Sequence, residues 1–204
     1  MPQSEPTPIA EDAWESWEPD QLASKLNGIN SLWYVVGGWA IEMHVGKPIR
    51  EHADLEFCVL PKDANHTANW LSELTFFAAK DGNLNFWPAG QEIYADNWQF
   101  WGADMKATKW RVDMMIERGT AATWVYKRDS SIQQARTEAL RISAQSVRYL
   151  APSNVLLFKA KDTRPKDDLD FDAVLPVLTA EERLTLLTWL QLLHPNHHWI
   201  PRLA

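Results

Sequence analysis

The chain has 204 residues, a formal charge of −7, 46% hydrophobic residues and one cysteine, Cys58. That length suffices for one sizeable core, or a core with a small helical appendage, and is short for two independent domains. The negative balance argues against a surface built to neutralise an extended nucleic acid, a lone cysteine excludes an intramolecular disulfide or a Cys-based zinc cluster, and no run reaches the ~20 apolar residues of a membrane span.

The opening MPQSEPTPIAEDAWESWEPD is acidic and proline-rich, unlike a secretory leader, and implies a cytoplasmic protein. Residues 1–10 are expected to be disordered. Glu11–Asn27 reads as a helix, with Trp14, Trp17, Leu22 and Leu26 spaced for one apolar face. Leu32–Val36 is aromatic and β-branched, a strand that runs into Gly37-Gly38, and Trp39–Val45 has helical composition up to Gly46. Asp54–Leu60 alternates: Leu55, Phe57 and Val59 point one way, Asp54, Glu56 and Cys58 the other. After Pro61, Lys62–Leu74 reads as a helix, and Phe76–Trp101 as a meander of short strands broken by Gly and Pro.

Trp110–Ile116 is expected to be a strand with Trp110, Val112, Met114 and Ile116 on one face and Arg111, Asp113 and Met115 on the other. Beyond Arg128 the pattern turns helical, with segments at Ser153–Lys161, Asp167–Leu178 and Ala180–Leu193. This divides the chain into a core over 1–128 and a mostly helical C-terminal lobe over 129–204, an α/β (α+β) arrangement. The twelve tryptophans are expected mainly to fill the core or surface gaps.

Four features carry chemistry. Gly37-Gly38 between a strand and a helix lets backbone N–H groups approach a phosphate, although such turns are also common without a ligand. Asp54 and Glu56, two apart on a strand, project together and could hold hard cations that bridge triphosphate oxygens; a solvated strand face is the plainer alternative. Asp113, in a mid-strand position, either pairs with Arg111 or Lys109 or completes a three-carboxylate site able to bind Mg²⁺ and accept a proton from an attacking hydroxyl. The segment from Phe158 to Asp170 sets four basic residues among acidic ones. Either it is a salt-bridged corner, or Lys159 or Lys161 reaches across to a triphosphate.

The order of a strand, Gly37-Gly38-Trp39-Ala40-Ile41-Glu42, Arg50-Glu51-His52-Ala53-Asp54-Leu55-Glu56 and a later strand with Asp113 resembles the DNA polymerase β-like nucleotidyltransferase superfamily. Within it, the chain looks most like the aminoglycoside 2''-adenylyltransferase and lincosamide nucleotidyltransferase group. The resemblance implies a mixed sheet flanked by helices, with Gly37 and Gly38 at nucleotide phosphate, Asp54 and Glu56 on Mg²⁺, and Asp113 completing the metal site or acting as base. The stretch around Lys159, Arg164, Lys166, Asp167 and Asp170 also looks like a basic-acidic motif of related enzymes. Glu56 departs from the Asp usual at that position.

The activity so implied moves a nucleoside monophosphate, AMP by expectation, from a nucleoside triphosphate such as ATP to a hydroxyl of a small molecule, an aminoglycoside or lincosamide among the candidates. Two other classes fit the residues: a nucleotide-binding protein without turnover, and a toxin-like transferase acting on RNA or protein. The site geometry is a further expectation, since Asp54, Glu56 and Asp113 can share cations only if their oxygens lie within roughly 4–7 Å.

Overall fold

The structure, a computed structural model, describes residues 5–88, 90–93 and 97–204. The chain runs α1 (Pro19–Lys25), β1 (Trp33–Val35), α2 (Gly37–Val45), β2 (Glu56–Val59), α3 (Ala64–Trp70), β3 (Thr75–Lys80), β4 (Asn83–Phe86), β5 (Gln99–Asp104) and β6 (Lys109–Ile116). It continues through β7 (Thr123–Val125), β8 (Gln133–Ala135), α4 (Arg136–Ala139), β9 (Leu140–Ile142) and β10 (Arg148–Leu150), then α5 (Pro152–Lys159), α6 (Pro165–Val174), α7 (Ala180–Leu193) and α8 (Ile200–Leu203). Eight strands form one mixed sheet in the order β4-β3-β5-β6-β2-β1-β10-β9, and β7 pairs with β8 apart from it. None of the described helices is long and apolar enough to cross a membrane.

The alternation in β2 holds. Leu55, Phe57 and Val59 are fully buried, as are Val112 and Met114 beside them on β6, and each such side chain contributes about 1.5–3 kcal/mol by leaving water. Parallel pairing sets Glu56 opposite Asp113, so burying one face of both strands necessarily turns these carboxylates together on the other. The helices are fixed by their ends. Thr179 and Glu182 form a reciprocal cap on α7, Pro152 and Pro165 open α5 and α6, and Gly46 closes α2 in a left-handed conformation at φ 76°.

Several expected elements differ. Helix in the 11–27 segment is confined to α1, because residues 13–17 lie extended along β6: Trp110 N donates to Ala13 O at 3.0 Å and Trp17 N to Arg111 O at 2.9 Å. Sheet pairing overrides the helical spacing of Trp14 and Trp17. The disorder expected of residues 1–10 lies outside the described residues at 1–4, whereas Ala10 O accepts a 2.8 Å bond from the Trp110 indole. Helix after Pro61 stops at Trp70, and the strand segment at 54–60 is regular only from Glu56. Asp54 therefore sits on the loop entering β2.

Trp110 is on the face opposite to the one expected. Trp101 pairs with Asp113 and Ala103 with Trp110, so three residues on β5 span four on β6, and this bulge flips Trp110 onto the Asp113 face. There it joins Phe77, Trp101 and Trp14 in a second apolar cluster. Beyond residue 128 the chain does not turn helical at once either, apart from the short α4. Strands β9 and β10 extend the sheet through Leu150, and the wholly helical stretch starts at Pro152.

Candidate active site

The turn from β1 into α2, the loop into β2, and the middle of β6 converge on one side of the sheet. There Asp54, Glu56 and Asp113 each present a carboxylate oxygen within 4.8 Å of the others, inside the expected range. Asp113 is 2% exposed; its Oδ2 accepts a 2.5 Å bond from Gln99 Nε2, and its Oδ1 is buried without a well-formed hydrogen bond among the described residues, with the Trp101 side chain the other polar group near this carboxyl. A buried carboxylate oxygen left bare is costly unless a ligand completes it. Three converging carboxylates with an orphaned oxygen fit a hard divalent cation such as Mg²⁺, which prefers oxygen donors.

The charges of the cluster oppose one another. Burial, and then the neighbouring Asp54, push the Glu56 carboxyl from its ordinary 4.5 up to about 7, against the pull of Lys159, Lys166 and Arg164. Burial and then Glu56 likewise hold Asp113 well above the usual carboxylate range. A carboxyl with a raised folded-state pKa stabilises the fold fully below its unfolded pKa and loses that contribution as pH climbs through the folded one. The cation-free protein should therefore lose thermal stability between about pH 4.5 and pH 7, and Mg²⁺ should raise the midpoint more at pH 8 than at pH 5. Differential scanning fluorimetry across pH, with Glu56→Gln as control, checks this; a Mg²⁺ effect of equal size at both pH values would contradict it.

Gly37 and Gly38 have packing reasons to lack side chains. Gly37 has φ 66°, and a Cβ there would stand 1.8 Å from Glu56 Oε2, so the longer arm of Glu56 occupies the space above this turn. A Cβ on Gly38 would stand 2.2 Å from Arg50 Nη2 and 2.8 Å from His52 Nδ1. His52 stacks on Trp39 at 4.3 Å between ring centroids and bonds Glu42 at 2.9 Å. Gly37→Ala is expected to cost about 1–3 kcal/mol and to weaken Mg²⁺ binding by displacing Glu56. Denaturant melts and a Mg²⁺ titration test it, and wild-type values in both would show that Glu56 does not depend on this glycine.

Opposite charge comes from α5 and α6. The Lys159 side chain is only 8% exposed, its Nζ 2.6 Å from Asp167 Oδ1 and 2.9 Å from Asp170 Oδ2. Arg50, from the loop after α2, donates to both oxygens of Asp170 at 2.8 and 2.9 Å, and Arg164 Nε meets Asp167 Oδ2 at 2.9 Å. Burial alone would raise the Asp167 carboxyl, but Arg164 and Lys159 hold it well below its ordinary value. Three cations thus share two buried carboxylates, and the charges of Lys159 and Arg164 are felt at Glu56. Lys161, by contrast, is exposed beside Asp162 at 3.9 Å, whereas Lys159 is held in the buried network with Asp167 and Asp170.

Two residues of the site went unmarked in the sequence reading. Gln99 begins β5 in a stretch interrupted by turn residues, and nothing local signals that it will bond Asp113. Arg50 stood in the Arg50–Glu56 run, but its partner Asp170 is 120 residues away.

Comparison with known proteins bears on this arrangement. No curated protein sequence gives a match. Among solved structures, ANT(2'')-Ia in complex with adenylyl-2''-tobramycin superposes with a TM-score of 0.53 at 14% identity, covering 83% of this chain and 93% of its own. The lincomycin-bound lincosamide antibiotic adenylyltransferase LnuA superposes at 0.54 with 11% identity, covering 84% and 100%. At such identities these neighbours speak for the fold. The aminoglycoside-2''-adenylyltransferase family itself matches residues 20–173, a span holding the glycine turn, all three carboxylates and the Lys159–Asp170 network, so the chain belongs to that family and is a nucleotidyltransferase.

Proposed function

We propose that the protein transfers AMP from ATP to a hydroxyl of a small molecule in a Mg²⁺-dependent reaction, with an antibiotic of the aminoglycoside or lincosamide kind as the first acceptor to try. The orphaned Oδ1 of Asp113 within the three-carboxylate cluster carries this reading, because a buried acceptor atom without a well-formed hydrogen bond is suited to a cation or a proton. Asp54, Glu56 and Asp113 would hold the metal, which when bound supplies positive charge to the triphosphate and acidifies a nearby hydroxyl.

The chain's own residues divide the remaining work. Lys159, with Arg164, faces the carboxylates and offsets charge on the triphosphate, while the Gly37-Gly38 turn keeps the backbone open to close approach. Asp113 takes the proton of the acceptor hydroxyl as its oxygen bonds to the α-phosphorus, and the bond from that phosphorus to the bridging oxygen breaks, releasing pyrophosphate. Gln99, donating to Oδ2, holds the carboxyl in one orientation and leaves Oδ1 for the reaction.

The deciding assay incubates the protein with each of the four nucleoside triphosphates, Mg²⁺ and a panel of aminoglycosides and lincosamides, scoring pyrophosphate. Release that depends on both metal and acceptor is expected. Nucleotide binding without release from any acceptor would overturn the antibiotic assignment.

A further inference from the structure

Four neighbouring strands, β2, β1, β10 and β9, share a rim at the end of the sheet away from the carboxylate cluster. Leu60 follows β2, Leu32 precedes β1, Arg148 opens β10 and Ile142 closes β9, and the pairing directions bring all four residues to that rim. A pocket of about 610 Å³ opens there, walled on its other side by Arg136 and Thr137 at the start of α4. It is separate from the catalytic turn. Leu32 and Gly37 lie five residues apart along extended chain, roughly 15 Å at the rise of a strand.

We infer that this pocket is a second binding site, for a free small molecule that carries one carboxylate on an apolar body. Its volume falls within the roughly 300–1,000 Å³ of pockets that hold such molecules. Leu32, Leu60 and Ile142 line it, and Ile142 is 68% exposed, an aliphatic side chain that leaves water only when something covers it. The lining also sets the charge. Lys62, Arg136 and Arg148 are its cations and Asp63 is its carboxylate. Arg136 is neutralised by Glu117, whereas Lys62 and Arg148 are exposed and neither forms an ion pair among the described residues. Set against Asp63, they leave one positive charge over, which matches a monoanion.

Arg136 gives an independent sign of a ligand. Its side chain is more than nine-tenths buried, and its Nη2 donates to Glu117 Oε1 at 2.5 Å and to the Thr123 carbonyl at 2.9 Å. Its Nε, by contrast, is buried with no hydrogen-bond partner among the described residues. A buried donor left unpaired is costly, and a carboxylate seated at this wall brings the acceptor that the protein does not. Glu117 already holds the guanidinium in one orientation, so little ordering is needed when the anion arrives. Lys62 and Arg148 then serve as further donors, and the apolar body lies along Leu32 and Ile142.

Titration of full-length protein carrying ¹³C-labelled isoleucine methyl groups with octanoate, and separately with octanol, tests the assignment. The methyl resonance of Ile142 is identified by its loss in Ile142→Val. Octanoate should shift it saturably and bind about tenfold or more tighter than octanol, the scale of hydrogen bonds to charged groups. The Lys62→Gln/Arg148→Gln variant should erase that preference. Both sites are exposed, so the variant should keep the wild-type resonances of the fully buried Ile41 and the nearly buried Ile116. Asp113→Asn should bind octanoate as the wild type does, because the pocket lies at the other end of the strands. No saturable shift at Ile142, an equal response to octanoate and octanol, an undiminished preference in the double variant, or loss of octanoate binding in Asp113→Asn would each overturn the site. The readout needs neither nucleotide nor acceptor, so either result leaves the transfer reading to its own assay.

Discussion

Asp113→Asn is expected to cut turnover ~10²–10⁴-fold, the range for loss of a general base, while leaving nucleotide affinity closer to wild type than Asp54→Asn does. The difference follows from where the two side chains stand. Asp113 is buried at mid-strand with one oxygen committed to Gln99 and the other bare, so an amide there keeps the shape but cannot take a proton. Asp54 lies on the loop into β2 at the cluster's edge, and its replacement removes an oxygen donor with little other loss. Calorimetry with a non-hydrolysable triphosphate, run beside pyrophosphate release, separates the two. Equal loss of binding in both variants would make Asp113 a metal ligand first, and full activity in either would remove that residue from the mechanism.

Much of this arrangement is legible in sequence because strand alternation is strict. Once Phe57 and Met114 are assigned to the core, Glu56 and Asp113 must face the other way, and only the adjacency of β2 and β6 remains to be found. What resisted reading was non-local. Trp14 and Trp17 are spaced for a helix, yet the open hydrogen bonds of β6 before β2 begins capture that segment as extended chain. The bulge that turns Trp110 over depends on β5, which nothing in the Trp110–Ile116 run reveals. Residues 133–150 carry too few apolar repeats to declare strands, and β10 exists because β1 offers it a parallel edge.

The lysine question shows the same limit at finer scale. Lys159 and Lys161 are two apart in a basic-acidic stretch, and composition treats them alike. Helix geometry does not, since residues two apart point to different sides. Lys159 meets Asp167 and Asp170, eight and eleven positions on, only because a turn folds α6 back against α5.

Asp170→Ala is expected to be the most destabilising single change near the site, at about 3–5 kcal/mol, the scale for removing one partner of a buried ion pair. Asp170 is fully buried, and its two oxygens serve Arg50 from the core and Lys159 from α5. Without it, Arg50 keeps, among the described residues, its 3.0 Å bond to the Glu51 carbonyl, Lys159 keeps Asp167, and excess positive charge is left in the network. Exposed pairs of the same chemistry behave differently, because solvent screens them: Arg202–Asp172, with both side chains about half exposed, should contribute less than about 1 kcal/mol. Urea denaturation of Asp170→Ala, Asp170→Asn and Asp172→Ala compares the two directly. Asparagine, which can still accept one hydrogen bond, should recover part of the loss. If Asp170→Ala melted no earlier than Asp172→Ala, Arg50 and Lys159 would not depend on that carboxylate, and the link between the loop after α2 and the helices beyond Pro152 would have to run through other contacts.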